Sequence, residues 1–154
     1  MIASVRQAVY LLIESTWTDV GHILAEEESD RFNWIKYLQS SGAGLSIPFA
    51  VCIWGQVVKS TRGAATEQVW EIPLTVVIVD DADKTAGERD DYFGTKLEGL
   101  WTAIQAYSGS AFHGWTQPSY DTNPLNQANS VLIEQNLPYI CAMFSATLYA
   151  GVSP

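Results

Sequence analysis

The first apolar positions of the chain, Ile2, Val5, Val9, Leu12 and Ile13, recur at the spacing of one helical face. This predicts an amphipathic helix over residues 2–15. Arg6, Gln7 and Glu14 interrupt its apolar character, so it reads as a helix and not as a secretory leader. Residues 23–29 fit neither period. A second helix over roughly residues 29–40 is expected, with Ser29 or Asp30 as N-cap and Phe32, Ile35 and Leu38 facing inward. The SSGAG run at 40–44 is expected to end it.

The period then changes. Residues 48–58, PFAVCIWGQVV, are apolar, aromatic and β-branched and read as a strand. Residues 59–67 have the glycine and polar content of a hairpin connection. Residues 68–79 alternate: Trp70, Ile72, Leu74, Val76 and Ile78 share one face, with Val69, Glu71, Thr75, Val77 and Val79 on the other. Pro73 has no N–H for a ladder, which predicts an edge strand or a bulge there.

Residues 80–91 hold six of the seventeen acidic residues and read as a solvated loop. A helix over about 90–107 follows, with Phe93, Leu97, Leu100, Trp101 and Ile104 inward and Asp90 and Asp91 capping its start. Residues 108–129 are rich in Gly, Ser, Pro and Asn and read as a long loop. A short strand is expected at 130–135, a turn at Asn136-Leu137-Pro138, and a final strand from Tyr139 to Tyr149. In that strand Ile140, Ala142, Phe144, Ala146 and Leu148 alternate with Tyr139, Cys141, Met143, Ser145, Thr147 and Tyr149. The element order predicts one α+β domain over 1–154: a two-layer sandwich of an antiparallel or mixed sheet with helices on one face.

Composition changes the picture in one respect. Charged residues are 16% of the chain, against about 25% in ordinary soluble domains. Residues 37–58 contain none, and from Leu97 onward only Glu98, Asp121 and Glu134 are charged. Surfaces that meet other subunits are poor in Lys, Glu and Asp and rich in aromatics. The plainer reading is a neutral surface of Ser, Thr and Gln. On the assembly reading, Trp54, Trp70, Phe112, Trp115, Tyr120, Tyr139 and Tyr149 are the candidate subunit-interface residues. A net charge of −9 disfavours a sequence-independent nucleic-acid binder and a peripheral protein of anionic membranes. Polar residues break both charge-poor stretches, so neither reads as a membrane span.

Candidate chemistry is sparse. His22 and His113 stand apart, without ligand spacing on a helix. Asp80, Asp81 and Asp83 do not continue into an EF-hand loop, which needs Gly at its sixth and Glu at its twelfth position. Cys52 and Cys141 are too few for a disulfide framework and fall mid-strand, where a thiol behaves as a small hydrophobe. No nucleophile elbow, P-loop or dinucleotide fingerprint occurs. Neither a catalytic residue nor a metal or cofactor is therefore assigned.

The arrangement resembles the small tail-terminator, or tail-completion, proteins of tailed bacteriophages. The resemblance lies in the N-terminal helix, the strand opened by Pro48 in Ser46-Ile47-Pro48-Phe49, and the alternating strand Leu74 to Val79. It extends to the acidic loop, the helix Asp90 to Tyr107, the long polar loop and the last strand Tyr139 to Tyr149. It implies an α+β fold and a structural, non-enzymatic role in a homo-oligomeric ring, expected to be a hexamer. Such a ring caps the tail tube, meets a neck or connector protein, and passes DNA through its lumen without specific binding. The implied place is the tail–neck junction of the virion, after assembly in the host cytoplasm. On this reading the acidic loop with Asp80, Asp81, Asp83 and Glu88 faces the lumen and repels DNA. The alternatives are a head-completion or neck adaptor and a non-viral α+β module with a closed apolar pocket for a small ligand.

Overall fold

A computed structural model describes residues 2–30, 32–41, 47–62, 67–81, 86–123 and 126–151. The chain runs through α1 (Ile2–Thr16), β1 (Ile23–Glu27), a 3₁₀ turn (Glu28–Asp30), α2 (Asn33–Ser41), β2 (Phe49–Trp54) and β3 (Val58–Arg62). Next come β4 (Glu67–Asp81), α3 (Ala86–Ala106), β5 (Gly114–Trp115), β6 (Ser119–Asp121), α4 (Gln127–Glu134) and β7 (Tyr139–Gly151). The fold is α+β on an open mixed sheet ordered β1-β2-β4-β7-β5, with β3 beside β4 and β6 beside β7. Among the described residues only the β1–β2 pair is parallel; the other pairs are antiparallel.

The spine is the pairing of β4 with β7, from Val69 opposite Gly151 to Asp81 opposite Tyr139. Both strands alternate as their sequences predict. Ile72, Leu74, Val76 and Ile78 join Ala142, Phe144, Ala146 and Leu148 in the larger core cluster. Val5, Val9 and Ile13 of α1 pack there, with Phe93, Leu97, Leu100 and Ile104 of α3. Each such side chain removed from water contributes about 1.5–3 kcal/mol before conformational entropy is set against it. On the opposite face Val77, Val79, Cys141 and Met143 meet Trp34, Ile35 and Leu38 of α2 and Ala128 and Leu132 of α4. The two long helices thus share one face, and the two short ones cover one end of the other. β2 lies between these layers with all six residues buried, so it reads as an unbroken apolar run and not as an alternation.

Pro73 does not mark an edge. β4 is central, flanked by β2 and β3 on one side and β7 on the other. Thr147, opposite Pro73, directs its N–H to Thr116 Oγ1 and its carbonyl to the Thr116 N–H, both away from β4. In an antiparallel ladder the facing residue then also points outward. The Pro73 nitrogen therefore faces the break between β2 and β3, where no ladder donor is required. Its carbonyl accepts from the Gly55 N–H at 2.9 Å.

Several other boundaries move. Residues 23–29 contain an edge strand and a 3₁₀ turn. α2 begins later than expected, because the Glu26 carboxylate, and not Ser29 or Asp30, accepts from the N–H groups of Phe32 (3.0 Å) and Trp34 (3.1 Å). Phe32 sits at φ 68°, just ahead of the helix. The expected stop at 42–44 lies outside the described residues. The strand expected over 48–58 breaks at residues 55–57, and Val58–Arg62 forms its own strand paired with Glu67–Glu71. α3 starts at Ala86, so Asp90 and Asp91 lie within it and do not cap it.

The expected strand at 130–135 is instead helix α4. Asn126 caps it, its side chain accepting from the Asn129 N–H at 2.8 Å. Ala128 and Leu132, one turn apart, face the sheet while Ile133 is exposed. The β-branched residues of SVLIEQ thus yield to a cap and a helical stripe that begin inside the expected loop. Residues 108–129 are not one loop, since they supply β5, β6 and the start of α4.

Candidate functional site

The two thiols lie on opposite faces of the sheet, Cys52 in one core cluster and Cys141 in the other. Burial pushes each up to about 12, far from the thiolate needed for nucleophilic chemistry near neutrality. His22 and His113 are exposed. Among the described residues no group of three His, Cys, Asp or Glu side chains is placed to hold a metal ion. No helix among them is long and apolar enough to cross a membrane.

The expected acidic loop is divided by the fold. Asp80 and Asp81 end β4, Glu88 is exposed in the first turn of α3, and Asp83 lies outside the described residues. Asp80 is only 6% exposed, and its Oδ1 accepts the Asp81 N–H at 2.7 Å. A buried strand-end carboxylate does not present its charge to a lumen, which corrects that assignment for Asp80.

Below it, Asp19 forms an ion pair with Lys96 and accepts from the Tyr92 hydroxyl. Burial drives the Tyr92 hydroxyl well above its ordinary range, and the nearby Asp80 and Asp19 charges add to this. At Asp19 burial acts upward, but the Lys96 and Tyr92 partners outweigh it and hold the carboxyl below its usual value. A lowered folded-state value stabilises the fold above the unfolded carboxyl's titration and is lost as pH falls through the folded one. Asp19→Asn is expected to cost at most about 1 kcal/mol at neutral pH, because the pair is partly exposed. That deficit should begin to shrink as pH falls below about 4 and vanish only once the folded-state carboxyl, held lower by Lys96 and Tyr92, is itself protonated. Urea titrations of both proteins across this window measure it.

The aromatic candidates divide in the same way. Trp54 is core, 1% exposed, with its Nε1 donating to the Tyr10 hydroxyl at 3.3 Å and Arg6 over its ring. Phe112 is buried and stacked on Tyr107 at 4.2 Å. Tyr149 is 6% exposed. These three are therefore packing residues and are removed from the interface set. Trp70, Trp115 and Tyr139 are half-buried, and Tyr120 is 43% exposed. Lys59 lies over Trp70, while Trp115 meets Trp101 edge-on.

One concavity among the described residues is announced by no motif. α2 and α4 cover only one end of their sheet face. Beyond them Thr75 and Ser145 stand opposite each other with hydroxyl oxygens 3.0 Å apart. Pro73 and Thr147, next in register, extend this floor. Thr116, Gln117 and Ser119 form one wall, and Glu28 with Gly55 the other, around a trough of about 300 Å³. Gly55 is required here by close approach. A Cβ on it would lie 2.8 Å from the Pro73 Cβ and 2.9 Å from Glu28 Oε2. Glu28 is the one charged residue of the lining. Sequence reasoning passes over this place, because Thr75 and Ser145 become neighbours only through the β4–β7 register.

Comparison of the chain with models of known protein families and with curated proteins finds no match to either.

Proposed function

We propose that the chain is a structural virion protein that ends the growth of a phage tail tube and joins it to the neck as a homo-oligomeric ring. The observation that carries this reading is the part of the sheet face that no described helix covers. Thr75, Ser145 and Thr147 lie half-buried on it without a charge of their own, in a chain of net charge −9. A strand face whose own side chains are neutral and polar joins another protein surface at low desolvation cost, with Glu28 at its wall as the one ion to be matched. The element order gives further support: Pro48 directly precedes β2, and α3 packs on the sheet before the final strand. Contacts that repeat head to tail and close on themselves give a ring with two different faces. One face matches the tube end; the other accepts no further tube subunit.

An apolar-ligand module fits less well. Such sites are lined mainly by hydrophobic and aromatic side chains, whereas this trough is open and lined largely by hydroxyls.

Light scattering and negative-stain imaging, with and without tail tube protein, test the proposal. The expected result is a ring of about six times the 17.0 kDa chain mass, formed alone or on the tube end. A chain that stays at single-copy mass and leaves tube length unlimited when tube protein is present would overturn it. Labelled protein found on the head side of the neck would favour the head-completion role.

A further inference from the structure

The trough has a chemistry of its own. Its volume, about 300 Å³, is at the lower limit for small-molecule sites, so it suits one long side chain better than a whole organic ligand. Its hydrogen-bonding groups are unbalanced toward acceptors. Thr75 and Ser145 share one hydroxyl hydrogen between them, which leaves more lone pairs than hydrogens. Thr116 Oγ1 accepts from the Thr147 N–H. The Glu28 carboxylate adds acceptor sites and a negative charge, and the lining contains no cation. Among the described residues, Arg6 pairs with Glu27 and Lys96 with Asp19, so neither of these cations serves the trough. An occupant must therefore supply several N–H donors and a positive charge.

We propose that the trough receives an arginine side chain from a neighbouring protein chain, its guanidinium against Glu28 and its remaining N–H groups toward the Thr75, Ser145 and Thr147 hydroxyls. A planar guanidinium offers five donors in a fixed fork and loses less hydration than an ammonium, so it answers both the carboxylate and the hydroxyl floor. Gly55 keeps the wall low enough for Glu28 to lie over the break between β2 and β3. The assignment does not depend on that neighbour belonging to a tail-end ring.

The test is an NMR titration of the full chain with N-acetyl-arginine amide, alongside the lysine amide, the neutral citrulline amide and spermidine. The expected result is saturable movement of the Gly55, Thr75, Ser145 and Thr147 amide signals at millimolar arginine amide. The citrulline compound should give little movement. Glu28→Gln should weaken binding by about three- to tenfold with melting unchanged, since Glu28 is exposed. Absence of saturable shifts at these amides, equal shifts from citrulline, or shifts unaffected by Glu28→Gln would overturn the proposal. Lysine amide binding as tightly as arginine amide would overturn the choice of guanidinium. Spermidine binding more tightly than either would replace the protein neighbour with a free polyamine.

Discussion

Replacing Asn129 with alanine is expected to destabilise the fold by about 3 kcal/mol. The Asn129 side chain accepts the Cys141 N–H at 2.8 Å and donates to the Cys141 carbonyl at 3.0 Å. It also reaches the Asn123 carbonyl at 3.1 Å. Cys141 stands opposite Val79, and its parity along β7 turns its backbone groups away from β4. β6 pairs with β7 only from Ser145 to Met143. The Asn129 amide thus does for Cys141 what a longer β6 would do. Alanine leaves the buried Cys141 N–H without its partner and the Cys141 carbonyl with only the longer Asn126 contact at 3.4 Å; an unsatisfied buried group costs roughly 1–3 kcal/mol. In a chain of this length such a loss lowers Tm by roughly 6–12 °C. Urea unfolding should show a reduced midpoint with an unchanged slope. Asn126→Ala removes an N-cap and a longer contact to the same carbonyl, and should cost only about 1 kcal/mol. Equal losses from the two variants would show that Asn129 does not act through Cys141.

Trp17→Ala is expected to cost about 4 kcal/mol. Trp17 follows α1 directly, is 1% exposed, and donates from Nε1 to the Lys96 carbonyl at 2.8 Å. It is both wedge and tie between α1 and α3. Removal of a buried tryptophan typically costs 3–5 kcal/mol, through lost transfer energy and the cavity left behind. That is a large share of a total stability of roughly 5–15 kcal/mol. Trp17→Phe restores most of the ring volume but not the hydrogen bond, and should recover more than half of the loss. Chemical denaturation of both variants checks this. An alanine variant within about 1 kcal/mol of the parent would mean that the two helices close over the gap.

Residues 2–15, 93–104, 68–79 and 139–149 are legible because each has one strongly apolar face over several turns or pairs. Burial there follows period, and period survives in sequence. β1 was not legible: ILAEE is a short edge strand whose third and fifth residues are exposed, so it lacks a clean alternation. α4 was hidden because its decisive residue, Asn126, fell in a stretch that reads as loop, while Val131, Leu132 and Ile133 favour a strand by propensity. The aromatics were ambiguous for a different reason. Large rings are enriched both in cores and at interfaces, and only the packing of Trp54 against Tyr10 and of Phe112 against Tyr107 separates the two. The trough depends on strand register and on a glycine whose neighbours are distant in sequence, neither of which composition encodes.

The placement of Cys52 and Cys141 on opposite sides of the sheet has a consequence for where the protein can serve. A disulfide needs Cβ atoms a few ångströms apart and turned toward each other, and here a hydrogen-bonded strand layer stands between them. The folded chain therefore cannot form a disulfide between its own two cysteines, whatever the redox poise around it.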